Sequence, residues 1–149
     1  MKTSTYFIVL IVAALILFRT PAWAEDESKA LGATRSLKCY FSTGVATEWI
    51  GSKPKTSDAG EGVPVVFDSI DVKRGTARVI SNGGAGDVAV LVTGVGITFI
   101  ETALAVVDVT TVFPVYGESH EFLAVDTRHV RLLGKAVVEE YYGACNRND

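Results

Sequence analysis

Imidazole and thiol groups are scarce in this chain, with two histidines and two cysteines among 149 residues. Cys39 and Cys145 lie far apart, so they do not form the Cys-x-x-Cys arrangement of a redox pair. His120 begins a run that falls short of a zinc-protease helix: the second histidine needed four positions on is Ala124, and the segment alternates like a strand. No metal site and no cofactor is therefore expected. No Gly-x-Ser-x-Gly elbow is present to activate a serine. Positive charge is also in short supply, with 14 Lys and Arg against 17 Asp and Glu. An acidic chain without a basic patch does not suit a nucleic-acid partner, whose phosphates need neutralising.

Long apolar runs are missing too, with one exception. Residues 6–18 carry no charge, follow Lys2, and lead through Arg19 and Pro21 to the small-x-small site Ala22, Trp23, Ala24. This is the pattern of a secretory signal peptide, too short for a spanning helix, which needs about 20 apolar residues. The expected division is a signal peptide at 1–24, a flexible leader at 25–36 and a single domain at 37–149, exported to the periplasm or the medium. No membrane anchor is expected after cleavage. Losing Lys2 and Arg19 with the signal leaves 12 basic residues against 17 acidic ones, a formal charge near −5. The remaining 125 residues suit one domain with a real core. In an oxidising compartment the two remaining cysteines are most simply one disulfide, closing a loop of about 100 residues.

What is abundant is strand pattern. Residues 97–101 and 106–113 are rich in β-branched and aromatic side chains. In the second run Val107, Val109, Thr111 and Phe113 share one side, and Val106, Asp108, Thr110 and Val112 the other. Further strands are expected at 37–43, 45–50, 65–70, 76–81, 87–93 and 121–133, with 137–142 a last strand or an extended tail. Gly44 reads as a turn, Trp49 as a large core filler, and 51–62 as a surface loop. The glycines of 82–86 read as a hairpin turn, because no helix follows them to meet a phosphate. The connection 102–105 lacks Gly, Pro, Asn and Asp, which leaves room for a helical turn there. About eight short strands and no long amphipathic helix predict an all-β domain, either an antiparallel sandwich or a small up-and-down barrel.

The runs 37–41, 77–88, 97–101, 109–113, 128–130 and 141–145 together resemble a group of small exported bacterial proteins with no assigned function. The likeness covers most of the chain beyond the signal and implies the same boundaries and export. It transfers no catalytic residue. Size, signal peptide, cysteine placement and strand count are also similar to barrel-type lysozyme inhibitors. The loop with which those inhibitors enter the lysozyme cleft has no counterpart here, so that likeness concerns architecture alone.

Four residues are the candidates for chemistry. His129 is flanked by Arg128 and preceded by Asp126, although alternation points Asp126 and His129 to opposite faces unless a bulge intervenes. The structural alternative places His129 beneath the tyrosines at 141 and 142. Glu101 shares a side with Ile97 and Phe99 and is expected to be a partly buried carboxylate, paired with Arg78 or Arg128. The leading functional expectation is a non-enzymatic exported domain that binds a protein or envelope component. The alternatives are a small hydrolase or lyase using His129 with Asp126 or Glu101, and a carrier with an apolar cavity of about 300 Å³ or more.

Overall fold

A computed structural model of the chain describes residues 22–148, apart from 118 and 133. The signal-peptide reading falls outside these residues except at 22–24. Among the described residues one helix, α1 (Ala22–Ala33), precedes nine strands: β1 (Leu37–Ile50), β2 (Lys53–Asp58), β3 (Val65–Asp71), β4 (Thr76–Ser81), β5 (Gly84–Val92), β6 (Ile97–Ala103), β7 (Val106–Tyr116), β8 (Phe122–Leu132) and β9 (Lys135–Arg147). All neighbouring pairs are antiparallel. From β3 to β9 each strand pairs with the next, and β9 returns to β1, which also pairs with β3. Eight strands thus close an up-and-down barrel, and β2 lies outside the ring as an extra strand on β1. Of the two architectures expected from the sequence, the barrel is the one formed.

Period-two alternation decides what lies inside. Leu37, Cys39, Phe67, Ile97, Phe99, Val112 and Phe122 point inward and are buried, with the Phe67 and Phe99 rings stacked 3.9 Å apart and 9° from parallel. Burying such side chains stabilises the fold by roughly 1.5–3 kcal/mol each. At one end of the barrel, its lower end, Cys39 and Cys145 face each other in register and form the expected disulfide, with a Cα separation of 4.0 Å. The last segment is therefore a full strand rather than a loose tail.

Several local readings are corrected. Residues 25–36 are not a structureless leader: α1 runs through most of them, Leu31 joins the core at 2% exposure, and Thr34 and Ser36 are buried. The small and charged composition that suggested a loose leader, with its Ala, Glu, Lys and Leu, is also the composition of a good helix former. The link onward is held by paired bonds, Arg35 donating from Nη1 to the Ile70 carbonyl at 3.1 Å and Ile70 N–H to the Arg35 carbonyl at 3.0 Å.

Gly44 is not a turn but a mid-strand residue of β1, opposite Tyr141. A Cβ at position 44 would collide with the Tyr141 ring, so glycine is there to let the ring cross the strand. The turn comes instead at Gly51, where φ is 65°, and the expected loop at 51–62 contains β2. Trp49, on the outer side of this hairpin, is 42% exposed and fills no core. The 82–86 glycines do make the β4–β5 hairpin, with Ser81 opposite Gly84. No helical turn forms at 102–105: Ala103 pairs with Val106, and Ala105 takes φ 65° at the tip.

Candidate functional site in the barrel mouth

The upper end of the barrel is built from the same inward-facing rows that make the core below, but their residues change from apolar to polar. On β6 the row Ile97, Phe99 continues to Glu101, and on β7 the row Val112 continues to Thr110 and Asp108. On β8, Phe122 and Ala124 give way to Asp126 and Arg128, and on β9, Cys145 and Gly143 to Tyr141 and Glu139. Strand register then makes these polar residues neighbours: Glu101 opposes Asp108, Asp108 opposes Arg128, Thr110 opposes Asp126, Asp126 opposes Tyr141, and Arg128 opposes Glu139.

The polar groups enclose a cavity of about 270 Å³, whose floor includes Phe67 and Phe99 and whose wall includes Glu101, Thr110, Asp126 and Tyr141. A second hollow of about 430 Å³ shares Ser81, Glu101, Asp108 and Arg128 with the first, and adds Glu139. Together they form the mouth of the barrel. One wall is supplied by the return from β2 to β3, which is held along β1 by Ala59 N–H to the Gly44 carbonyl and Gly62 N–H to the Phe41 carbonyl, both at 3.0 Å. That path brings Glu61 and Val63 to the rim.

Arg128 is the cation of this interior. Its Nε and Nη2 donate to the two carboxylate oxygens of Asp108 at 2.9 and 3.1 Å, a forked pair that raises the Arg128 pKa further. The Thr110 hydroxyl donates to Asp126 Oδ1 at 2.5 Å. Burial still outweighs that bond, and with Asp108 nearby it pushes the Asp126 carboxyl above its ordinary pKa. Glu101 is raised as well, first by burial and then by Asp108, with Arg128 opposing. The Tyr141 hydroxyl donates to Glu139 Oε2 at 3.2 Å, and burial followed by Glu139 raises its pKa. The mouth therefore contains two carboxyls held above their ordinary pKa, beside a fixed ion pair. Among the described residues no group of three or more His, Cys, Asp or Glu side chains is arranged to hold a metal ion.

Of the four residues singled out in the sequence, three meet here: Glu101, Asp126 and Arg128. His129 does not. Register is unbroken from Thr127 to Leu132 against β9, so His129 points out, opposite Val107 and Val138, and is exposed. It lies neither beside Asp126 or Glu101 nor beneath the tyrosines, but in an open depression with Trp49, Val107, Arg131 and Val138. Arg78, the other partner considered for Glu101, is exposed opposite Asp87. His120 is exposed at the β7–β8 connection, with its ring edge-on to Tyr116. Sequence reasoning missed Asp108, Thr110, Tyr141 and Glu139. Continuing the inward row of each strand by steps of two would have found them. No family model, curated protein or solved structure matches the chain.

Proposed function

We propose that this is an exported protein whose barrel mouth binds a small organic molecule. The observation that carries the reading is the cavity itself: an aromatic floor beneath convergent carboxyl, hydroxyl and guanidinium groups is the usual composition of a small-molecule site. Its volume lies just below the range of about 300–1,000 Å³ for drug-sized ligands, which suits a compound of one ring. The polar wall argues against a carrier of purely apolar ligands, since such a ligand would cover the carboxyls without bonding them. A protein or envelope partner, the reading first favoured from the sequence, would have to use the outer surface. The outward position of His129 argues against the hydrolase or lyase reading, which relied on it as general base.

Export is supported by the signal-peptide pattern and by a disulfide of the kind that persists in oxidising compartments. Cleavage before Glu25 would remove three residues from α1 and leave the buried Leu31 in place. Intact-mass measurement of the exported form tests this, with a chain beginning at Glu25 as the expected result.

The ligand reading is tested by screening single-ring fragments by thermal shift against the wild type and Gly86→Leu. A Cβ at Gly86 would meet Glu101 Oε1 and Val79 Cγ1, both at 3.9 Å and both on residues that line the mouth, so a leucine there is directed at the mouth. Fragments that stabilise the wild type should lose that effect in the plugged variant. Equal stabilisation of both proteins would place binding elsewhere.

A further inference from the structure

The reading of the mouth as a ligand site leaves open what charge the ligand carries, and the cavity's lining answers this. Its lower part is apolar, formed by Val65, Phe67, Val79 and Phe99, with the two phenylalanine rings stacked face to face. Its upper part is acidic. Carboxyls face it from β6 (Glu101), β7 (Asp108), β8 (Asp126) and β9 (Glu139), and Glu61 adds another at the rim. Among the described residues, the other ionisable groups lining it are the Tyr141 phenol and the Arg128 guanidinium. Arg128 is already forked onto Asp108. Glu101 therefore stands in the wall beside an ion pair that does not include it, and among the described residues the side-chain partner of Asp126 is the neutral Thr110 hydroxyl.

We infer that the mouth takes a small ring-bearing organic cation, its ring on the phenylalanine floor and its ammonium between Glu101 and Asp126. An anion would meet several carboxylates and a guanidinium already engaged. A neutral ring would desolvate Glu101 and Asp126 without supplying a charge in return. A cation replaces the water these carboxylates lose, and ammonium donors can bond both at once. Both carboxyls are displaced upward first by burial and then by the neighbouring Asp108, a repulsion that a bound cation would relieve. The ammonium also needs an apolar body to reach these groups from below the rim, and the floor supplies the surface for it.

The test compares benzylamine, benzyl alcohol and benzoate, which share a ring and differ in charge, by calorimetry near neutral pH on the wild type, Asp126→Asn and Gly86→Leu. Benzylamine should bind the wild type at least about tenfold more tightly than benzyl alcohol, a difference of about 1.4 kcal/mol, with benzoate weakest. Asp126→Asn should shrink that preference severalfold while keeping the Thr110 bond available. If benzyl alcohol or benzoate binds as well as benzylamine and Gly86→Leu abolishes the binding, the mouth is the site and the charge class is wrong. If benzylamine binds Gly86→Leu as it binds the wild type, or no probe binds at millimolar concentration while screened fragments do so in the mouth, the cation proposal is overturned. Benzylamine binding that persists in the plugged variant would overturn the mouth reading as well.

Discussion

Arg128 on β8 grips Asp108 on β7 through both Nε and Nη2, across a register in which the two residues are direct partners. The pair is unequal in its surroundings. Removing Asp108 leaves Arg128 near Asp126 and Glu139, either of which can partly replace it, whereas removing Arg128 leaves Asp108 facing Glu101 and Asp126 with no cation among them. Arg128→Gln should therefore cost more stability than Asp108→Asn. A reduction of about 1–2 kcal/mol is expected for Arg128→Gln, after allowance for solvent screening of a pair that is not fully buried. Urea unfolding of the two variants checks the order, and a larger loss for Asp108→Asn would contradict it.

The raised Asp126 carboxyl has a consequence for pH. A carboxyl whose folded pKa lies above its unfolded value of about 3.9 favours the fold below that value and loses this contribution as pH rises through the folded pKa. Asp126→Asn carries no such penalty and can still accept the Thr110 bond. It should melt above the wild type at neutral pH, and the gap should close as pH falls towards about 4. A gap that is constant with pH would mean that ionisation of Asp126 costs the fold nothing.

Two glycines separate conformational cost from crowding. Gly143 lies on the β1–β9 seam, where a Cβ would overlap the Tyr40 carbonyl oxygen, so Gly143→Ala must push apart the strands that close the barrel. Gly51 needs only its positive φ, with nothing within 4 Å of a new Cβ. Gly51→Ala should cost about 1 kcal/mol, and Gly143→Ala roughly 3 kcal/mol or more. Thermal melts of both should keep that order.

The disulfide joins the first and last strands at the lower end, 106 positions apart. Chain entropy sets an upper expectation of roughly 4–5 kcal/mol for its loss. The double replacement Cys39→Ser, Cys145→Ser should lower the melting temperature substantially while keeping a β-type far-UV spectrum in the cold, because the β1–β9 ladder remains. Unchanged melting would show that the ladder alone sets stability.

Much of the barrel was legible because its rule is local: alternation placed Ile97, Phe99 and Glu101 on one side and Val112, Thr110 and Asp108 on one side without knowledge of their neighbours. The same rule set Asp126 and His129 on opposite faces. The mouth as a site was less legible, since register, which no single strand reveals, joins Glu101 to Asp108 and Arg128 to Glu139. Trp49 was misread because size suggested a core filler, while its position on the β1–β2 hairpin, beyond the ring, leaves it outside. Gly44 was misread because a glycine that makes room for Tyr141 looks the same in sequence as one that makes a turn.

Titration of isotope-labelled protein with the tightest-binding fragment, followed by amide chemical shifts, tests the central claim most directly. Binding in the mouth predicts the largest changes at Glu101, Asp108, Thr110, Asp126, Arg128 and Tyr141, with little at Trp49, His129 and Val138. Changes centred on Trp49, His129 and Val138, with the inward residues still, would contradict it and move function to the outer face.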